Sequence, residues 1–149
     1  MKIVIDLQGA QTESRFRGIG RYSLSLAKAI VRNAGEHEIW LVLNGFSPDS
    51  ILALRDEFRD LMSQERISVF YVPQPVAEHD PANSNRARVA ELTREYFLEQ
   101  LNPDVVLVTS LFEGYLDDAV TSVGKFAKSY KTVVVLYDLI PYMDEQRYL

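Results

Sequence analysis

The chain has no cysteine among its 149 residues, which removes a disulfide framework and every thiolate metal site together. Histidine is nearly as scarce. His37 and His79 stand far apart in the sequence, which speaks against a zinc site built on imidazoles. Positive charge is in deficit, with 16 Lys and Arg against 21 Asp and Glu and a net charge of −5. A general nucleic-acid or anionic-membrane binder needs the opposite surplus, so no nucleic-acid partner is expected. Long apolar runs are missing too: MKIVIDLQG is short and interrupted by Asp6, too polar for a signal peptide or a spanning helix, so a cytoplasmic protein is the expectation. With 7 glycines and 6 prolines there is no low-complexity tract or interdomain linker, and 47% hydrophobic residues supply one domain's core.

What is present is a series of short apolar runs rich in Val, Ile and Tyr. They are KIVIDL (2–7), EIWLVLN (38–44), ISVFYV (67–72), DVVLVT (104–109) and the most continuous, TVVVLYDLI (132–140). Unbroken runs of this kind suit strands covered on both faces, as in a parallel sheet. Between them lie helical periods carried by Ile19, Tyr22, Leu26 and Ile30, by Ile51, Leu54, Phe58 and Leu61, and by Val89, Leu92, Tyr96 and Phe97. Ser47 before Pro48 reads as a helix cap followed by proline at the first helical position, and Asn83 or Ser84 as the cap of the third helix. Strands and helices alternate up to the fourth strand, and a long connection leads to the fifth. The reading is an α/β, doubly wound parallel sheet of about five strands in the order 3-2-1-4-5, helices on both faces. Residues 110–131 read as a loop with a short helix or two. Trp40 reads as core.

In such a sheet the ligand crevice opens at the carboxyl ends of the strands where the order reverses, here between strands 1 and 4. That selects two long loops, QGAQTESRFRGIG and SLFEGYLDD. In the first, Gly18 and Gly20 open a helix whose free N–H groups and dipole favour an anion, with Arg15, Arg17 and Arg21 adding charge. The competing reading is that the glycines only let strand and helix meet. Three familiar sites fail. The dinucleotide fingerprint needs a tight turn after strand 1 and an acid at the end of strand 2, where this chain has Asn44-Gly45. No Gly-Lys-Ser/Thr occurs, and strand 3 ends in VPQP, without the acid of a phosphoacceptor domain. Among the remaining residues, Asp138 either takes a hydrogen bond from a ligand hydroxyl, orients a loop or caps a turn, and Glu113 either binds hydroxyls or holds its own loop. Asp6 reads as a loop anchor, Asp117-Asp118 as solvated surface, and His79 as exposed. Tyr71, Pro73 and Pro75 form a stiff apolar edge before VAEHDPANSN, which is either a mobile loop over the ligand crevice or a disordered connection.

Three segments in this order, RGIGRY (17–22), PDVVLVTSLFEG (103–114) and YDLIP (137–141), resemble the N-terminal half of a family 4 glycosyltransferase with the GT-B fold. The resemblance covers almost the whole chain. It implies that residues 1–149 are the Rossmann-like, acceptor-side domain of a metal-independent, retaining enzyme. Such an enzyme moves a sugar, a mannose-like hexose among the candidates, from a nucleotide-diphosphate sugar to a saccharide or lipid-linked acceptor, as in surface-polysaccharide synthesis. Gly18, Ile19, Gly20 and Arg21 then fall on the loop that reaches the donor's phosphates. Ser110, Glu113, Gly114 and Asp138 fall on the acceptor and sugar side. Relatives often carry His where this chain has Tyr137, and a tyrosine with an ordinary pKa near 10 is a poor proton shuttle, so a catalytic role for Tyr137 or Asp138 stays open. The resemblance further implies a missing nucleotide-sugar-binding domain, a fragment inactive alone, weak self-association through the uncovered crevice face, and peripheral membrane contact, for which Lys125, Lys128 and Lys131 are candidates. No cofactor or metal is implied. The rival is a stand-alone binding or regulatory module for a phosphorylated small molecule.

Overall fold

A strand sends successive side chains to opposite faces, and in KIVIDL both faces receive apolar groups. The computed structural model, which describes residues 1–111 and 113–137, shows what each face packs against. The strands β1 (Lys2–Asp6), β2 (Glu38–Asn44), β3 (Ile67–Phe70), β4 (Val105–Val108) and β5 (Lys131–Val134) form one parallel sheet. Its order is β3-β2-β1-β4-β5, as the sequence led us to expect. β1 is central, with Ile5 opposite Leu41 on one side and Leu107 on the other. Helices α1 (Gly18–Arg32) and α2 (Pro48–Glu57) cover one face, where Ile5, Leu7, Leu41, Ala27, Leu54 and Phe58 are buried together. Helix α3 (Ser84–Gln100) covers the other, burying Val4, Val42, Phe70, Ala90, Leu98 and Val106. The domain is a Rossmann-like α/β fold.

Asp6 has the same parity along β1 as Val4, so its carboxylate points into the α3 face, where it is 1% exposed. An isolated charge there would be prohibitive, and α3 answers with Arg94, itself 1% exposed. The guanidinium grips Asp6 Oδ2 through Nε (2.8 Å) and Nη2, and its Nη1 donates to the Ser122 carbonyl at 2.9 Å. This requirement turns the helix. Three of the four expected stripe residues of α3 face outward instead, with Val89 51%, Leu92 50% and Tyr96 61% exposed, while Phe97 packs beside Phe70 and Ala90, Arg94, Glu95 and Leu98 point in. Helix α1 keeps Ile30 packed against the core but turns part of its expected stripe away. It buries Gly20, Ser23 and Ala27 while Tyr22 is exposed, because small residues let the helix approach the sheet closely.

Residues 110–131 hold neither of the helices that the sequence suggested, among those described. The segment's backbone groups are met by side chains reaching from elsewhere, which is how a buried loop escapes the cost of unpaired amides. Glu95 accepts from the N–H groups of Lys125 (3.1 Å), Phe126 (2.7 Å) and Ala127 (2.8 Å). Trp40 is only half-buried, its indole N–H on Glu38 and the Lys2 ammonium over its ring at 4.4 Å. Ser47 and Asn83 stand at the helix starts expected, but neither side chain makes the capping bond. Ser47 offers its carbonyl to the Ser50 hydroxyl, and Asn83 donates to the Ala77 carbonyl. The fifth strand ends at Val134, and residues 138–140 of its expected span lie outside the described residues.

Two outcomes follow. Arg94→Leu leaves the Asp6 carboxylate buried without its partner and is expected to lower unfolding free energy by about 3–5 kcal/mol in urea denaturation; a loss under about 1 kcal/mol would mean that the pair does not hold the sheet to α3. Burial pushes the Glu95 pKa up, but the N–H groups of Ala127, Phe126 and Lys125, helped by Ser122, outweigh it and hold the carboxyl below its ordinary range. A depressed folded pKa means stability that is present at neutral pH and lost as pH falls through the folded value. Glu95→Gln is therefore expected to destabilise by about 1–3 kcal/mol at pH 7 and progressively less below the usual glutamate range, as read by thermal unfolding across pH.

Candidate functional site

The carboxyl end of β1 is fixed by amides as well as by charge. Gln8 donates through Nε2 to both Asp6 oxygens (3.1 and 2.9 Å) and to the Val120 carbonyl (2.8 Å). Its Oε1 accepts from Val120 N and Asn44 Nδ2, both at 2.9 Å. Gln11 repeats the device one turn later: Nε2 donates to Asn44 O at 2.9 Å and Ser50 Oγ at 3.0 Å, and Oε1 accepts from Asn44 N at 2.7 Å. Gln8, Gln11 and Asn44 are all buried. The loop leaving β1 is thereby stitched to the end of β2 and to the segment after β4.

From Gln11 the chain makes a short 3-10 turn (Glu13–Phe16) before α1 begins. Thr12 caps the turn by accepting from Ser14 N and donates its own hydroxyl to Glu113 Oε2 at 2.7 Å. Gly20 lies against that turn so closely that a Cβ would strike the backbone of Ser14 and Arg15, whereas a Cβ on Gly18 would meet only open space. The two glycines thus do different things. Gly20 lets the turn fold back on the helix, and Gly18 leaves the helix start uncovered. Arg17, at the cap position, makes no side-chain cap bond, and helical pairing begins with Arg21 N on Arg17 O at 3.1 Å. Among the described residues, the N–H groups of Gly18, Ile19 and Gly20 have no hydrogen-bond partner. They carry the positive end of a 15-residue helix, with the exposed Arg17 and Arg21 beside them.

The loop after β4 is brought to the same end of the sheet but turned inward. Ser110 and Glu113 are 3% and 7% exposed, and Ser110 Oγ donates to Glu113 Oε1 at 3.0 Å. With Thr12 on the second oxygen, both oxygens of Glu113 have internal donors. Gly114 is buried where a Cβ would lie 2.8 Å from the Ala119 carbonyl. A Cβ on Gly9 would meet Ser110 Cβ at 2.8 Å, so the loops after β1 and β4 touch across the point where the strand order reverses. Tyr137 is half-buried. Its hydroxyl donates to the Thr109 carbonyl at 2.8 Å and bonds Ser23 Oγ at 2.9 Å, and its ring meets Tyr22 edge-on at 5.5 Å. Burial raises its pKa, with the Ser23 hydrogen bond opposing, so the phenol stays protonated at neutral pH and serves as a tie between β4 and α1. Asp138 lies outside the described residues.

Several residues behave otherwise than their sequence context suggested. Asp118 is no solvated surface group: Oδ1 accepts from Val76 N at 2.6 Å and Ala77 N at 3.1 Å. With Glu78 N on the Gly114 carbonyl and His79 N on the Tyr115 carbonyl, it fixes the stretch after β3, so that stretch is an ordered loop. Asp117 is held above its ordinary pKa by burial and by Glu113, Glu13 and Asp118, against Arg17. Lys125 reaches Glu91 at 2.5 Å. Arg94, Gln8, Gln11 and Thr12 were not singled out by sequence. Ala90, Arg94 and Leu98 share one helical stripe at a spacing of four, and that pattern was the available signal for Arg94. Among the described residues no set of His, Asp or Glu is placed to hold a metal, and no helix is long and apolar enough to cross a membrane.

Two substitutions separate the glycines. Gly20→Ala is expected to destabilise by about 1–3 kcal/mol through overpacking against the Glu13–Phe16 turn, while Gly18→Ala is expected to change unfolding free energy by under about 0.5 kcal/mol. Equal effects in chemical denaturation would show that the helix start is covered.

No protein-family model matches the chain. It is 39% identical over 150 aligned residues to a serotype-specific mannosyltransferase WbdA of Escherichia coli, a match that takes in 100% of this chain and 18% of the relative. Two further WbdA proteins of that organism are 35% and 34% identical over 125 residues, 83% of this chain and 15% of each relative. The chain is thus similar, along its whole length, to part of serotype-specific mannosyltransferases, and spans less than 20% of the curated relatives that it matches.

Proposed function

We propose that the chain is the N-terminal, acceptor-side domain of a retaining, metal-independent GT-B glycosyltransferase. The whole enzyme would move a mannose-like hexose from a nucleotide-diphosphate sugar to a saccharide or lipid-linked saccharide. The observation that carries this reading is the uncovered start of α1. Three amides without partners among the described residues, at Gly18, Ile19 and the closely packed Gly20, stand at the ligand-binding end of a doubly wound sheet in a chain that is similar along its length to part of a mannosyltransferase.

The chemistry asks for little else from this domain. As the bond between the sugar and the diphosphate breaks, negative charge grows on the departing phosphate oxygen. N–H groups fixed in advance at the place where that charge grows stabilise the transition state more than the bound substrate. The amides of Gly18 to Gly20 suit this role because nothing needs to reorganise: the Glu13–Phe16 turn and the Gln8 and Gln11 amides hold the loop already. Arg21, exposed on the same turn, adds charge. Tyr137, protonated and bonded to Thr109 and Ser23, shapes the floor rather than moving a proton. Glu113 does the same while Thr12 and Ser110 occupy it. The nucleotide is left to a second domain. On this reading the cytoplasm is the place of reaction, and contact with the membrane face follows from the acceptor rather than from any basic surface.

A radiolabelled transfer assay with a nucleoside-diphosphate mannose tests the proposal. The longer polypeptide is expected to transfer, the 149-residue chain alone to be silent, and Arg21→Ala in the longer protein to lower turnover about ten- to a hundredfold with its folded signal intact. Transfer by the 149-residue chain unaided would overturn the two-domain reading, and unchanged kinetics in Arg21→Ala would remove that residue from the site.

A further inference from the structure

A large aromatic ring held in the open at the ligand-binding end of a sheet calls for an explanation. Tyr71 directly follows β3 and is 72% exposed, though an apolar ring of its size gains most by burial. It is not loose. The ring lies on Gly45, just past the end of β2, so closely that a Cβ at position 45 would overlap its Cδ1 and Cε1 atoms. One side of the ring is thus fixed by a residue that has no side chain, and the remainder is presented to solvent. Beside it is a depression of about 250 Å³ lined by Gly45, Phe46, Pro48, Tyr71, Val72 and Gln74.

The lining decides the chemical class. It contains no charged side chain to pair with a phosphate or a carboxylate. It combines aromatic and aliphatic surface with the Tyr71 hydroxyl and the Gln74 amide, which together donate and accept hydrogen bonds. A hexopyranose has the same two aspects, an apolar C–H face and a rim of hydroxyls. The volume lies just under the roughly 300–1,000 Å³ usual for drug-sized ligands, which suits a single sugar ring. The position is also built into the loop already described. Asn44, bonded by both Gln8 and Gln11, is the residue before Gly45 and accepts from Phe46 N through Oδ1 at 3.3 Å. The stitching that places the start of α1 therefore places this platform too.

We infer that Tyr71, seated on Gly45, is a stacking platform for one neutral hexopyranose ring, a saccharide subsite on the β2–β3 flank of the crevice. The assignment rests on the transferase reading for its biological meaning, as part of the acceptor, but not for the binding itself.

The test is heteronuclear NMR titration of the 149-residue chain with methyl α-mannopyranoside, taken to about tenfold above the millimolar Kd to be expected of a ligand with about a dozen heavy atoms. Saturable shifts at Gly45, Phe46, Tyr71 and Gln74 are expected. Tyr71→Ala should raise Kd about three- to tenfold, and Tyr71→Trp should retain binding. Since Tyr71 is exposed, its removal does not threaten folding, which the same spectra report. No shift at these residues, shifts that persist unchanged in Tyr71→Ala, or a response there to adenosine or guanosine in place of the sugar would overturn the subsite. Failure here leaves the transferase reading untouched, because that is judged by the transfer assay; sugar binding here without any transfer by the longer polypeptide would sink the reading and keep the subsite.

Discussion

The buried contact between Asp6 and Arg94 is the constraint from which the rest of this domain follows. A carboxylate at the end of the central strand, closed off from water, is tolerable only with a counter-charge and a full set of hydrogen bonds. Arg94 and Gln8 supply both. In doing so they tie together four pieces of chain: the end of β1, the middle of α3, the end of β2 through Asn44, and the segment around Val120 and Ser122. Hydrophobic packing positions the helices against the sheet only to within a sliding register. The charge pair and its amides choose one register, and with it the exact path of the loop that leads to Gly18.

That loop shows how a protein can place backbone amides toward solvent without spending regular structure on it. Side chains take over the pairing that a ladder or a helix would otherwise provide, the amides of Gln8, Gln11 and Asn44 on one side and the carboxylates of Glu95 and Asp118 on the other. Polar groups at this end of the sheet are mostly consumed in the process. Ser110 bonds Glu113, Tyr137 bonds the Thr109 carbonyl and the Thr109 hydroxyl bonds the Asp6 carbonyl, whereas the start of α1 and the Tyr71 surface look outward. One is cationic in character and the other neutral. On the proposed reading, a sugar phosphate group and a sugar ring are the complementary pair.

How much of this could be read in the sequence depends on whether the signal was local. The strands KIVIDL and EIWLVLN announce themselves because burial on both faces demands continuous apolar runs, and the strand order follows from the alternation of elements. The crevice could be placed from topology alone. The helix faces could not. Val89, Leu92 and Tyr96 have the spacing of a buried stripe, yet the stripe that is buried runs through Ala90, Arg94 and Leu98, because a partner for Asp6 outweighs the gain from burying a valine and a leucine. Such a preference is invisible until two residues 88 positions apart are known to meet. Asp118 misled for the same reason, since its partners at Val76 and Ala77 are brought to it only by the fold. Of the candidate site, Gly18 and Gly20 were legible as a pair but not as two separate devices, one of close packing and one of open approach.

If amides of this loop were placed to meet phosphate oxygens, a titration of the isotope-labelled chain with inorganic pyrophosphate is the most direct check. Shifts centred on Gly18, Ile19 and Gly20, saturating and weakening as salt is raised, are the expected result. Those three amides unmoved at saturating pyrophosphate, or a response confined to Lys125, Lys128 and Lys131, would contradict it.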